Sequence, residues 1–538
     1  MFMKPLLYII SLLFGFLNTA GISMHLTDSL TLIPGIKGIL LFVLLMVVFS
    51  VLFYIAAYWL LKGFNHMAAE KGSRTDRFIE RHIFIFSFCF IIIFWLPWVI
   101  TYYPASMDWD VYRQLSSYLG IWARSNHDPW LSSCVLGVCY QIGVKLGSEN
   151  LGIFIFVVIR DVLMALIYAE CVSMLKKAGL KRIIYFGVLL FYAVTPVWGA
   201  YAKHAFKDTF CTALFVWYIM NTIVLIFYGK AGKLKNKHWI LYGISALVLS
   251  LFRNNCVYVA APATLLVIIF LIAKRQKLYY SIGIAALLSV YFIFNSFIVN
   301  YMGVIPASSK EALAIPFQQT ARTVKYHYDT ITDEERELIG RVLDYESMPE
   351  RYDPLISDPI KDNWNGDATG EDLKNYFIVW AKMFFKYPVT YLEAAIGQSY
   401  GYYAFNNGFA YGAGNYNSGM TIFDWIEVDA FKEYFSFHYI EAMETGRQLL
   451  NHWANLWDKI PVLNLTNKIA LYTWIIVLIG FELLRKKRIS ELIPVVALLI
   501  MICTCIASPV NGCFRYFAPV AASMPALFIF FGRNDGKL

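Results

Sequence analysis

Charge is scarce in this sequence. Only 15% of its 538 residues are Asp, Glu, Lys or Arg, while 59% are hydrophobic, and the mean hydropathy is +0.54. A chain this poor in charge is solvated by lipid, which excludes a water-soluble globular class and leaves no expectation of a nucleic-acid partner. Cysteine is equally uninformative as a framework. Nine are present, almost all within apolar runs (Cys89, Cys134, Cys171, Cys211, Cys256, Cys503), and the long polar segment has none, so neither a disulfide scaffold nor a zinc pattern is expected. No Gly-x-x-x-x-Gly-Lys loop occurs, which argues against direct use of ATP. No internal repeat is visible, which counts against a transporter built from repeated halves. Lys4 and the apolar run ending near Asn18-Thr19-Ala20 have the outline of a signal peptide. The small-residue pair of a cleavage site is missing, so this run reads as an uncleaved first helix.

What the chain does have is apolar stretches of membrane-spanning length. They fall at about 5–24, 37–61, 83–101, 151–175, 181–199, 207–228, 238–252, 255–273, 277–300, 467–484, 490–507 and 513–532. An α-helix needs ~20 residues to cross a ~30 Å hydrocarbon core, so the expected fold is an all-α polytopic membrane protein of about twelve transmembrane helices. The 238–252 run is short for a full crossing. Basic residues stay on the cytoplasmic side, and they cluster from Lys62 to Arg81 (with Lys71, Arg74 and Arg77), at Lys176-Lys177 to Lys181-Arg182, at Lys230 to Lys237, at Lys274-Arg275-Gln276-Lys277 and at Arg485-Lys486-Lys487-Arg488. All of them face inward only if Trp130 to Leu146 is a re-entrant or interfacial helix. Both termini are then cytoplasmic, in the plasma (cell) membrane.

The organisation that follows has four parts. Residues 1–82 form an N-terminal two-helix segment with a basic loop, 83–300 a membrane core with an outer loop at 102–150, 301–465 a polar segment, and 466–538 a C-terminal three-helix segment. The polar segment carries 13 Lys and Arg against 23 Asp and Glu, an acidic excess that suits an α-rich extracytoplasmic domain. Within it, Thr332-Asp333-Glu334-Glu335 followed by Leu338, Ile339 and Val342 predicts a capped amphipathic helix, Phe377 to Tyr387 predicts another, and the Gly-, Asn- and Tyr-rich stretch Tyr400 to Ile422 predicts irregular structure.

Short polar islands interrupt the apolar pattern at helix ends. They are Asp108-Trp109-Asp110-Val111-Tyr112-Arg113-Gln114, Asn126-His127-Asp128-Pro129, Lys203-His204-Ala205-Phe206-Lys207-Asp208, Arg253-Asn254-Asn255 and Arg515-Tyr516. The charge rule, applied without reference to these islands, places all of them on the outer face, where they make one expected site. Tyr103-Pro104 followed by Asp108, Asp110 and Gln114, then Asn126-His127-Asp128-Pro129, then Lys207-Asp208 opening a later helix, resembles the GT-C glycosyltransferases, which include the protein O-mannosyltransferases and the aminoarabinose transferases. The resemblance covers about 83–300 and, more weakly, the last three spans, through motifs that are short and degenerate. It implies a catalytic carboxylate in the first outer loop, a polyprenyl-phosphate-linked sugar donor and an extracytoplasmic acceptor. The chain departs from that pattern by two spans ahead of the loop and by its acidic segment lying between the ninth and tenth spans, which leaves the subfamily and substrate open.

The residues suit that chemistry on their own terms. Glycosyl transfer from a lipid phosphate needs a base for the acceptor hydroxyl and positive charge for the departing phosphate. Asp110 is the expected base, with Asp108 as its support or alternative. Asp110 and Gln114 share one helix face. Asp108 and Asp110 also have the Asp-x-Asp form that holds a divalent cation such as Mg or Mn, although such pairs also serve as solvated or capping groups. Lys203, Lys207, Arg253 and, more weakly, Arg515 are the phosphate candidates, against a role as interfacial snorkelling side chains. His127 and Asp128 either cap the helix that follows or touch the acceptor, and Asp208 and Asn254 complete the substrate-binding set. Arg160-Asp161 lies within a span and implies a buried network with partners on other helices. The outer aromatics, Trp98, Tyr102, Tyr103, Trp109, Trp122 and Trp130, read mainly as an interfacial belt. The alternatives are a cell-envelope polysaccharide polymerase or ligase and a non-enzymatic lipid-linked saccharide transporter or flippase.

Overall fold

In lipid every backbone N–H and C=O must be satisfied within its own segment, so long apolar runs have little choice but to become helices. A computed structural model describes residues 3–69, 78–405, 426 and 428–533, and among these the regular secondary structure is helical. The helices are α1 (Met3–Thr27), α2 (Ile36–Asn65), α3 (Ile83–Thr101), α4 (Trp109–Leu119), α5 (Trp130–Lys145), α6 (Glu149–Lys177), α7 (Arg182–Val194), α8 (Pro196–Ala202), α9 (Lys207–Lys230), α10 (Asn236–Phe252), α11 (Val257–Ala273) and α12 (Leu278–Ile293). The polar segment adds α13 (Ala314–His327), α14 (Asp333–Gly340), α15 (Gly370–Lys386), α16 (Pro388–Gly397) and α17 (Glu444–Lys459), and the chain closes with α18 (Ile469–Arg485), α19 (Leu492–Ile506) and α20 (Phe514–Ser523). Nine helices among the described residues are long and apolar enough to cross a membrane, and eleven if each of two bent pairs is one span. This is a multi-pass membrane protein. The bent pairs are α7 with α8, at 48°, where Pro196 interrupts the ladder, and Pro461–Asn467 with α18, at 76°. The twelfth stretch of the sequence count is α10, 17 residues long.

Helix α9 and the span Phe514–Phe531 that α20 opens form the centre, with 78% and 83% of their apolar stretches buried, whereas α2 is peripheral at 11%. The basic loops meet at one end of the bundle. Lys181 N–H donates to the Met67 carbonyl at 2.8 Å, Arg182 pairs with the buried Glu80 at 3.1 Å, Lys230 pairs with Glu491 at 2.5 Å and Lys486 reaches Asn65 at 2.7 Å. Lys71, Arg74 and Arg77 lie outside the described residues. Both ends of the 102–149 connection sit at the opposite end of the bundle, against one segment. Tyr102 donates to Asn451 at 3.0 Å, and the Asn150 amide donates to the His438 carbonyl at 3.1 Å. The α5 helix between them has 16 residues, and its Pro129 precedes the helix as N-cap.

Two of these readings gain detail. Arg160 pairs with its own neighbour, Nη2 to Asp161 Oδ1 at 2.8 Å, because the long guanidinium stem folds back. Its other donors reach the partners on another helix that were expected, the carbonyls of Ala202, the last residue of α8, at 2.5 Å, and of His204 just beyond it. The polar segment, for its part, contributes side chains to two apolar cores. Phe317, Ile339, Tyr376, Met383 and Tyr391 belong to a second apolar core, while Tyr400, Tyr402, Phe431, Phe435 and Phe437 join the core of the membrane helices. The Thr332 capping box forms, with Thr332 Oγ1 accepting from Glu335 N at 3.2 Å and Glu335 accepting from Thr332 N at 2.9 Å. The helix expected from Phe377 begins earlier, at Gly370, capped by Thr369. Most of the Tyr400 to Ile422 stretch, 406–422, lies outside the described residues.

Candidate functional site

Asp108 ends the extended chain after α3 and caps α4, its Oδ1 accepting from Val111 N at 3.1 Å. That cap fixes the first turn of α4 and aims Asp110 and Arg113, one turn apart, the same way. Arg113 donates to Asp110 Oδ1 at 2.6 Å and, through Nε, to Asp128 Oδ2 at 2.6 Å. From the start of α9, Lys207 reaches Asp128 Oδ1 at 2.5 Å and Asp110 Oδ2 at 3.4 Å. From the start of α20, Arg515 meets three carboxylates: Asp108 at 2.8 Å, Asp208 at 2.9 Å and Asp110. Arg253, where α10 gives way to α11, closes the set on Asp208 at 3.0 Å. The contacts to Asp208 are ion pairs without hydrogen-bond alignment.

Four carboxylates (Asp108, Asp110, Asp128, Asp208) therefore alternate with four cations (Arg113, Lys207, Arg253, Arg515). They come from segments up to 407 residues apart. Most are well buried, but Arg113 and Arg515 keep 23% and 22% of their side-chain surface and Asp110 keeps 15%, so the cluster has an open side around Asp110. Its two leading carboxylates differ. Burial and the charge of Asp110 push the Asp108 carboxyl up to about 6. Burial also acts to raise Asp110, but Lys207, Arg515 and Arg113 together outweigh it and hold that carboxyl well below the usual range.

The expected site residues divide accordingly. Asp108, Asp110, Asp128, Lys207, Asp208, Arg253 and Arg515 come together. Lys203 does not join them: it is buried with its ammonium 3.3 Å from the Tyr102 ring centroid. Gln114 is buried between α4 and α5, accepting from Ser132 at 3.2 Å. His127 lies 3.9 Å from Glu311, and burial, then Arg113, lowers its pKa. Asn254 donates to the Asn126 carbonyl at 2.8 Å and so braces the turn that carries Asp128. The residue the sequence reading missed is Arg113. Its spacing of three from Asp110 was the available signal, but its second partner sits past the end of α4. Asp108 and Asp110 are a poor fit to a divalent cation. Their oxygens already face a backbone N–H, guanidinium groups and an ammonium, and among the described residues no group of three or more His, Cys, Asp or Glu could hold a metal.

The cluster sits where α9 and α20 begin and α10 ends because Arg160 holds the carbonyls that lead into α9, and because the Asn126 carboxamide accepts from Trp130 N at 3.0 Å at the start of α5. A model described as a family of unknown function, DUF6020, matches residues 123–537. The chain belongs to DUF6020. The DUF6020 match takes in Asp128, Lys207, Asp208, Arg253 and Arg515 and starts beyond Asp108, Asp110 and Arg113. No curated protein and no solved structure matches the chain.

Proposed function

We propose that this protein is a membrane glycosyltransferase that moves a sugar from a polyprenyl-phosphate carrier to an acceptor outside the cytoplasm, a cell-envelope glycan, lipid or protein, with inversion at the anomeric carbon. In this reading twelve helices cross the cell membrane, both termini are cytoplasmic and the segment 301–465 is an extracytoplasmic insertion. The observation that carries the proposal is the charge cluster at the end of the bundle away from the basic loops, with four cations and its partly open carboxylate, Asp110. A lipid phosphate arriving at that side competes with Asp110 for Arg113, Lys207 and Arg515, since guanidinium and ammonium groups bind phosphate oxygens as readily as carboxylates. Once those cations turn to phosphate, Asp110 loses the charges that hold its pKa down and becomes a usable base. The acceptor hydroxyl then gives its proton to Asp110 while its oxygen bonds to the anomeric carbon. The carbon–oxygen bond to phosphate breaks, and the phosphate leaves with the electron pair, neutralised by the cations.

Replacing Asp110 by Asn keeps the side-chain shape and removes the base. Transfer of a radiolabelled sugar from polyprenyl phosphate is expected to fall by ~10²–10⁴-fold, with membrane insertion and abundance near those of the parent and a lower thermal midpoint, because the paired Asp110 charge is gone. Retention of transfer at the parental rate rejects Asp110 as base. The second reading, a lipid-linked saccharide transporter, draws support from the closure of the network, because paired charges also serve as gates between conformations. Loss of transport without any transferase product would favour it.

A further inference from the structure

We infer that α17, counted by its sequence in the polar segment, lies in the membrane interface at the cluster end of the bundle, with its apolar face in lipid. The inference is independent of the glycosyltransferase reading. With 3.6 residues per turn, α17 carries three stripes, each with a different neighbour. Arg447, Leu450, Ala454 and Trp457 face protein. Arg447 donates to the Thr101 carbonyl at 3.0 Å, Leu450 and Ala454 pack on Trp98, Tyr102 and Ala200, and Trp457 donates to Thr466 at 3.0 Å. Gln448, His452 and Asn455 form an exposed polar stripe. Leu449, Trp453 and Leu456 form an exposed apolar stripe, at 66%, 37% and 43% of full exposure. A helix with protein, water and an apolar medium as its three neighbours is the arrangement of an interfacial amphipathic helix.

What covers the apolar stripe follows from where the helix sits. Gly446 packs so closely on Thr101, the last residue of α3, that a Cβ there would meet its methyl at 2.6 Å. The lipid-facing side of α3 runs up to that point through Ile93, Leu96 and Ile100, all exposed, so the stripe on α17 continues an existing lipid contact. Just past α17, the chain bends by 76° into the spanning helix α18. A second part of the polar segment meets the membrane edge in the same way. Phe385, Val389 and Leu392 are exposed, and the adjacent Glu393 accepts from Ser29 and Leu30 in the α1–α2 turn, both at 3.0 Å.

The test is a spin-label scan of residues 448–456 in the full-length protein in liposomes, reading collision with oxygen, which enters lipid, against a water-soluble nickel chelate. Labels at Leu449, Trp453 and Leu456 are expected to favour oxygen severalfold over labels at Gln448, His452 and Asn455. Equal nickel access around the helix overturns the proposal, and so does protection of the apolar stripe from both reagents, which would mean a protein partner. Photo-crosslinking the unmodified protein with a lipid-borne diazirine supplies a check that needs no variant: adducts within 449–456 are expected, and adducts confined to the spanning helices contradict the inference.

Discussion

Asp108 and Asp110 stand two residues apart and titrate in opposite directions, which makes the pair separable by pH. The raised Asp108 keeps its proton in the folded chain up to about 6, whereas the unfolded chain releases it near 3.8. Between those values the folded state holds the extra proton, so this group costs stability as pH rises through the window. At 1.36 kcal/mol per unit of pKa the full effect is of order 3 kcal/mol. Asp110 has the opposite sign: its contribution is present above the unfolded value and is lost only as pH falls below it. Asp108→Asn removes the first effect and keeps an acceptor for Val111 N–H. The thermal midpoint of the parent, measured relative to that variant, is therefore expected to fall between pH 4 and pH 6. A difference that stays flat across the window means Asp108 is not held protonated.

The α5–α6 hairpin sets where Asp128 stands, and its closeness depends on two glycines. A Cβ on Gly143 would meet Gly152 N at 2.1 Å, and one on Gly152 would meet the Tyr140 carbonyl oxygen at 2.6 Å. Both contacts are with backbone, which cannot rotate away. Gly143→Ala is thus expected to part the helices and lower stability by ~1–3 kcal/mol, seen as a lower thermal midpoint in detergent, whereas Gly187→Ala, with nothing near its Cβ position, is expected to leave it in place. At this scale much was legible in the sequence. Apolar length located the spanning helices, and the shortness of the 238–252 run is real. The breaks at Pro196 and Lys468 were not legible, because a proline fixes a local dihedral but packing decides whether the chain bends there. Nor was the orientation of Lys203, four residues before Lys207 and facing Tyr102 instead of the cluster. Sequence spacing places a side chain on its own element, and only the assembled bundle determines what it meets.

Across the whole molecule, the basic loops gather at one end and the alternating charge cluster at the other, and that polarity is what the charge rule reads from sequence. The grouping of the islands was legible for the same reason: residues at helix ends on one side of a bundle have few places to go. The pairing within the cluster was not, because Arg515 and Asp110 are 405 positions apart. In the proposed function the cluster faces outward and receives a lipid phosphate. Arg113→Cys in a Cys-free background, labelled in intact cells with a membrane-impermeant maleimide, tests it most directly. Labelling from outside is expected, slowed severalfold by polyprenyl phosphate and unchanged by the matching polyprenol. Labelling only after the membrane is opened, or equal labelling with and without the phosphate lipid, contradicts it.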